Sequence, residues 1–140
     1  METVHDILSF LETLAPRSMK MDWDNVGLLC GRKEKEVKKI LVALDPFRNV
    51  IEEAIEIGAD CIVTHHPLIF KALNAVTDET AVGRSIQLLC RAGISAVNAH
   101  TNLDCAPGGV NDRLAAALHV YEVLLSALTE MEERIYGNRT

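Results

Sequence analysis

Aromatic residues make up only 4% of this 140-residue chain, so whatever core it forms must be aliphatic, drawn from the Leu, Ile, Val and Ala within its 49% apolar content. No apolar run approaches the roughly 20 residues that a membrane-spanning helix requires, which argues against a membrane protein. The opening Met1-Glu2-Thr3-Val4-His5-Asp6 has neither the basic nor the apolar stretch of a secretion signal, and the expected location is cytoplasmic. Cysteine is sparse. Cys30, Cys61, Cys90 and Cys105 form no C-x-x-C pair, which excludes a zinc knuckle or a dithiol motif by spacing, and the residues read as reduced, small hydrophobes. Positive charge is short as well, with a net charge of −6. The densest basic stretch, Arg32-Lys33-Glu34-Lys35-Glu36-Val37-Lys38-Lys39, alternates in sign and reads as a solvated face, so a nucleic-acid partner is not expected.

What is present is alternation. Thr3 is a good helix N-cap with Asp6 at the third helical position. Val4, Ile7, Leu8, Leu11 and Leu14 then recur at helical spacing until Pro16. Ile40-Leu41-Val42-Ala43-Leu44 is a short continuous apolar run, expected to be a strand buried on both faces. Val50 to Ile57 has helical periodicity, closed by Gly58, and Cys61-Ile62-Val63-Thr64 is the next strand. A helix is expected from about Thr80 to Ala92, with Gly93 closing it and Ile94-Ser95-Ala96-Val97 as a third strand. Two βαβ units in succession predict a single α/β domain over 1–140, with a mostly parallel sheet and flanking helices. Beyond it, Asn111 is the expected cap of a further helix, and Tyr121 to Ile135 reads as a Leu- and Glu-rich helical end.

This topology has a chemical consequence. Asp45, His65, His66, His100 and Asp104 all follow the C-terminal ends of the expected parallel strands, the edge where open α/β sheets place ligands. Adjacent histidines within a strand would diverge to opposite faces. Just past a strand end, with Pro67 fixing the backbone, both can turn to one crevice. Imidazoles together with a carboxylate suit divalent cations, whose chemistry is to lower the pKa of a bound water toward neutrality. A lone histidine at a strand end is usually structural; His65, His66 and Asp104 together are read as metal ligands. His100 has two readings, as a further ligand or as a group orienting one through its other ring nitrogen. Asp45 is read as a turn residue, Gly108-Gly109 as a structural turn rather than an anion loop, and His119 with Glu122 as a surface pair. Cys105 is not favoured as a ligand.

Three segments, Trp23-Asp24-Asn25-Val26-Gly27-Leu28, Thr64-His65-His66-Pro67-Leu68-Ile69-Phe70 and His100-Thr101-Asn102-Leu103-Asp104, followed by Gly108-Gly109-Val110-Asn111-Asp112, resemble the Nif-three-like family. Its members often carry the label GTP cyclohydrolase I type 2 homologue. The resemblance runs over about 3–118, leaving 119–140 as a divergent helical segment. It implies an α/β lobe, a dinuclear metal centre with His65, His66 and Asp104 among its ligands, and assembly into toroidal homo-oligomers. The family's remaining ligands, a His and a Glu four residues later, belong to a C-terminal half, and no H-x-x-x-E follows Asp104 here. The expectation is therefore a divalent-metal protein, zinc first with Mn, Fe or Ni compatible, working as a metal-dependent hydrolase on an unspecified small molecule. The alternative is a non-catalytic metal-binding or interaction module with an incomplete site, whose uncovered apolar surface favours self-association.

Overall fold

The computed structural model describes residues 1–121 and 124. The chain divides into two compact units, Met1–Ala106 and the residues from Pro107 onward. In the first unit the element order is α1 (Val4–Leu14), a 3-10 turn at Arg17–Met19, β1 (Gly27–Cys30), β2 (Ile40–Ala43), α2 (Arg48–Glu56), β3 (Cys61–Thr64), α3 (Ala81–Ala92), β4 (Ser95–Asn98) and α4 (Thr101–Cys105). The second holds α5 (Val110–Ala117). Most of the expected Tyr121 to Ile135 helix, Glu122 included, lies outside the described residues.

The four strands form one sheet in the order β1-β4-β3-β2. β2 and β4 both run parallel to β3, as the βαβ pattern predicts, and β1 joins antiparallel at the far edge of β4. That edge strand was not visible in the sequence, because Gly27-Leu28-Leu29-Cys30 is too short to show a period.

Local chemistry sets the helix ends. Thr3 and Asp6 form a reciprocal capping box, in which the Thr3 amide donates to the Asp6 carboxylate at 2.8 Å. Thr80 caps α3 by accepting from the Gly83 amide at 3.0 Å, and Gly93 closes it at φ +66°, a left-handed conformation that Gly adopts without penalty. Asn111 does not cap α5. Gly109 holds that position, and the Asp112 carboxylate turns back to accept from the Gly108 amide at 2.6 Å.

Side-chain alternation in the strands builds two apolar layers. Ile62 and Ala96 face α2 and α3, where Ile51, Ala54 and Leu89 are fully buried. Cys61 and Val97 point the other way, against Val4 of α1 and Val37. The expectation that β2 is covered on both faces is wrong. Val42 is 75% exposed and Ile40 43%, because β2 is an edge strand and only its Leu41 side joins a buried cluster. The cysteines also meet in a way their spacing hides. Cys30 Sγ lies 3.7 Å from Cys90 Sγ, and burial, reinforced by Cys90, pushes the Cys30 thiol up to about 12.

Asp60 fastens the β2 side of the sheet. Its carboxylate accepts the Lys38 and Lys39 amides at 2.8 and 3.0 Å, with Lys35 Nζ at 3.8 Å. The Lys38 amide above all holds its pKa below the ordinary 3.8, against burial that would raise it. The stabilisation is therefore whole above the ordinary carboxylate range and lost as pH falls through the lower folded value. Asp60→Asn should be less stable than wild type at pH 7, with a flatter loss of stability below about pH 4. Urea midpoints across that range check this; parallel pH profiles would refute it.

Candidate metal centre

Thr64 of β3 and Asn98 of β4 are register partners at the ends of neighbouring parallel strands. The residues that follow are therefore delivered side by side. The Ala99 amide donates to the Thr64 carbonyl at 3.1 Å, extending the pairing one step beyond the strands, and the Thr64 hydroxyl donates to the His66 carbonyl at 2.7 Å. From the third parallel strand, the Leu44 carbonyl accepts the His66 amide at 3.0 Å.

The result is a cluster of three imidazoles. Ring centroids lie 5.0 Å apart for His65 and His66, 5.1 Å for His65 and His100, and 5.6 Å for His66 and His100. One ligand-capable atom from each falls within 4.8 Å of the others, a spacing that can hold a metal ion. Asp104, on α4 one turn after His100, brings its Oδ1 to 3.5 Å from His65 Nε2. Two ligands each about 2.1 Å from a tetrahedral cation stand about 3.4 Å apart, so that separation suits a shared ion.

Each ring is fixed through its Nδ1. His65 Nδ1 donates to the Ala99 carbonyl at 3.1 Å, His66 Nδ1 to Asp45 Oδ1 at 2.6 Å, and His100 Nδ1 to Asp24 Oδ1 at 2.9 Å. A carbonyl or a carboxylate only accepts, so each Nδ1 is the donor and Nε2 is the ring nitrogen left for a metal. This donor set, three imidazoles with a nearby carboxylate, fits a divalent transition metal.

Asp24 is the candidate site residue that sequence reasoning passed over. Its side chain is fully buried. Besides His100 it accepts the Thr101 amide at 3.0 Å, the Thr101 hydroxyl, and the Asn25 amide at 2.8 Å. Burial pushes its pKa up, but the Thr101 hydroxyl, His100 and the two amides outweigh that, and it stays below the ordinary carboxylate value. Its loop is stitched in from both sides, with Asn25 Nδ2 donating to the Ile69 carbonyl at 2.7 Å and Asn98 Nδ2 to the Asn25 carbonyl at 3.1 Å. The sequence signal was its place in Trp23-Asp24-Asn25-Val26-Gly27-Leu28, one of the segments that carry the family resemblance. Asp45, expected as a turn residue, instead holds His66. Trp23 and Phe70, 62% and 50% exposed, meet edge to face at 5.8 Å and both approach His100, making an aromatic wall beside the cluster.

Of the other candidates, Cys105 is exposed next to Asp104, and His119 belongs to the second unit. The α5 start is already answered by Asp112, in keeping with a structural role for Gly108-Gly109.

A model of the Duf34/NIF3 (NGG1p interacting factor 3) family matches residues 2–135. The chain belongs to this family. A protein of Clostridium perfringens called GTP cyclohydrolase 1 type 2 homolog is 45% identical over 115 residues, which are 82% of this chain and 44% of the relative. Its namesake in Staphylococcus aureus is 42% identical over 137 residues, 98% of this chain and 37% of the relative. Among solved structures, the Bacillus cereus protein related to NIF3 superposes with a TM-score of 0.79 at 43% identity, over 84% of this chain and 32% of that one. Reduced HcgD from Methanocaldococcus jannaschii gives 0.76 at 37%, over 82% and 46%. This NIF3 chain thus spans less than half the length of these relatives.

The buried Asp24 should govern metal affinity without touching the ion. Asp24→Asn should weaken zinc binding by about ten- to a hundredfold, the usual cost of losing a carboxylate behind a ligating histidine. Competition against a chromophoric chelator measures it, and unchanged affinity in a folded variant would remove Asp24 from this role.

Proposed function

We propose that His65, His66, His100 and Asp104 hold divalent metal, zinc first among the candidates, and that the site serves a metal-dependent hydrolase acting on a small molecule. The observation that carries this reading is the uniform anchoring of three clustered imidazoles through Nδ1, at 3.1, 2.6 and 2.9 Å. Surface histidines have no need of such fixation, whereas metal-ligating ones nearly always donate their second N–H. The chemistry such a cation supplies when bound is Lewis acidity, toward a substrate oxygen and toward a water whose pKa it lowers to near neutrality.

The chain's own residues have definable tasks. Asp24 and Asp45 accept from Nδ1 of His100 and His66 and so keep both rings oriented; the Ala99 carbonyl does the same for His65 without adding charge. Asp104 brings the negative charge that offsets part of a dication's. Trp23 and Phe70 provide an apolar flank that limits water on one side and offers a surface to a flat ligand. Relatives carrying the GTP cyclohydrolase label make a small, nucleotide-like substrate the first class to test.

The second reading is a metal-holding or interaction module without turnover of its own, favoured by an apolar groove left uncovered beside the sheet. Self-association fits either reading. Between α1 and the uncovered face of β2 runs an apolar groove of about 580 Å³, lined by Phe10, Ile40 and Val42 among others. A second copy of the chain is the expected cover. Light scattering should give a mass above the 15.4 kDa of a monomer. A monomer at tens of micromolar would exclude it.

Metal per chain, measured by elemental mass spectrometry, tests the central claim. The wild type should carry near-stoichiometric metal that His65→Ala/His66→Ala lacks. Hydrolysis that depends on added zinc or manganese and vanishes in His65→Ala selects the enzyme over the module. A wild type that stays metal-free after incubation with either ion refutes both.

A further inference from the structure

His66 has a second environment. Besides joining the histidine cluster it lines a hollow of about 350 Å³, whose walls come from the turn after β2 and the first turns of α2 and α3. Leu68 and Leu88 supply apolar surface, and Arg48 and Arg84 supply charge. In a chain with 14 basic against 20 acidic residues, this hollow is lined by two arginines and one carboxylate. An adjoining hollow of about 240 Å³ shares both and adds Arg91 together with Asp78.

Several features suit this hollow to an anion. Asp45 is the one carboxylate in its lining, and its Oδ1 is already committed to His66 Nδ1 at 2.6 Å. Arg48 pairs through Nε with Glu52 at 2.7 Å, and Arg84 donates from Nη1 to the Asp78 carbonyl at 2.5 Å. Each contact uses one of the five N–H donors of a guanidinium and leaves the others for a ligand, in the fork geometry that matches phosphate. Two helices also begin here. The nine-residue α2 starts at Arg48 with no side-chain cap on its first turn, and the twelve-residue α3, whose Gly83 amide is already taken by the Thr80 hydroxyl, starts at Ala81, both at the wall of the hollow. The uncapped first-turn amides of α2 add partial positive charge to that of the arginines.

We propose that this hollow is the anion subsite of the substrate, taking a phosphate group through Arg48 and Arg84 and so placing the rest of the molecule at the histidine cluster. The inference rests on reading that cluster as the reactive centre, and it narrows the substrate to phosphorylated small molecules. His66 is the residue common to both sites. Arg91, in the adjoining hollow, lies where a second phosphate or a longer anionic tail would extend.

Calorimetric titration of the full chain with inorganic phosphate, run both metal-loaded and with chelator present, tests this. Phosphate should bind saturably, and Arg48→Gln/Arg84→Gln should raise Kd at least tenfold while leaving metal content and thermal midpoint at wild-type values. Arg32→Gln, at the sign-alternating surface run, should leave Kd within twofold. Equal phosphate affinity in the double variant, an equal loss in Arg32→Gln, or no saturable binding by wild type in either condition would overturn the subsite. The two readings separate cleanly. A chain that carries metal but whose phosphate affinity ignores Arg48 and Arg84 sinks the subsite alone. A metal-free chain that binds phosphate through those arginines keeps the subsite and sinks the metal centre.

Discussion

The parallel pairing of β3 with β4, in a register that sets Thr64 opposite Asn98, is the constraint on which the rest of the centre depends. Because the pair is parallel, both strands end at the same edge, and because they end together, the residues just beyond them are neighbours. His65 and His66 on one side and His100 on the other follow from that alone. A slip of one residue would turn each strand's side chains to the opposite face and take the cluster apart. The register is held by the core beneath it, where Ile62 and Ala96 share one layer and Cys61 and Val97 the other.

On that platform a small number of buried acceptors convert three mobile imidazoles into a fixed donor set. Asp24 carries the largest share. A fully buried carboxylate is costly unless its oxygens are satisfied, and here the Thr101 hydroxyl and amide, the Asn25 amide and His100 answer it. The same bonds tie the segment before β1 to the start of α4, so the fold around the cluster and the orientation of His100 are one structure. Asp45, more open to solvent, does the equivalent for His66 from the end of β2. All three parallel strands thus contribute to the cluster through the segments that follow their C-terminal ends.

The surface around the cluster is divided by chemistry. Trp23 and Phe70 give one flank an aromatic character, whereas Arg48 and Arg84 line the hollow at His66. On the proposed reading, a substrate with a flat body and an anionic group would meet both, and such a division would place binding energy away from the reacting atoms, where it can orient a molecule.

Much of this was legible beforehand, for physical reasons. Helix α1 could be read from its capping box and apolar period, α3 from Thr80 and Gly93, and the parallel strands from short apolar runs separated by helices. Those local rules place His65, His66, His100 and Asp104 at one sheet edge. Local rules do not extend to partners distant in the chain. The antiparallel addition of β1, the exposed face of β2, the contact of Cys30 with Cys90, and the hold of Asp24 on His100 across 76 positions each depend on what lies alongside in space. The sequence by itself determined which side chains reach the edge. Only the tertiary structure decided how they are held, because burial and hydrogen-bond acceptance are properties of the assembled neighbourhood.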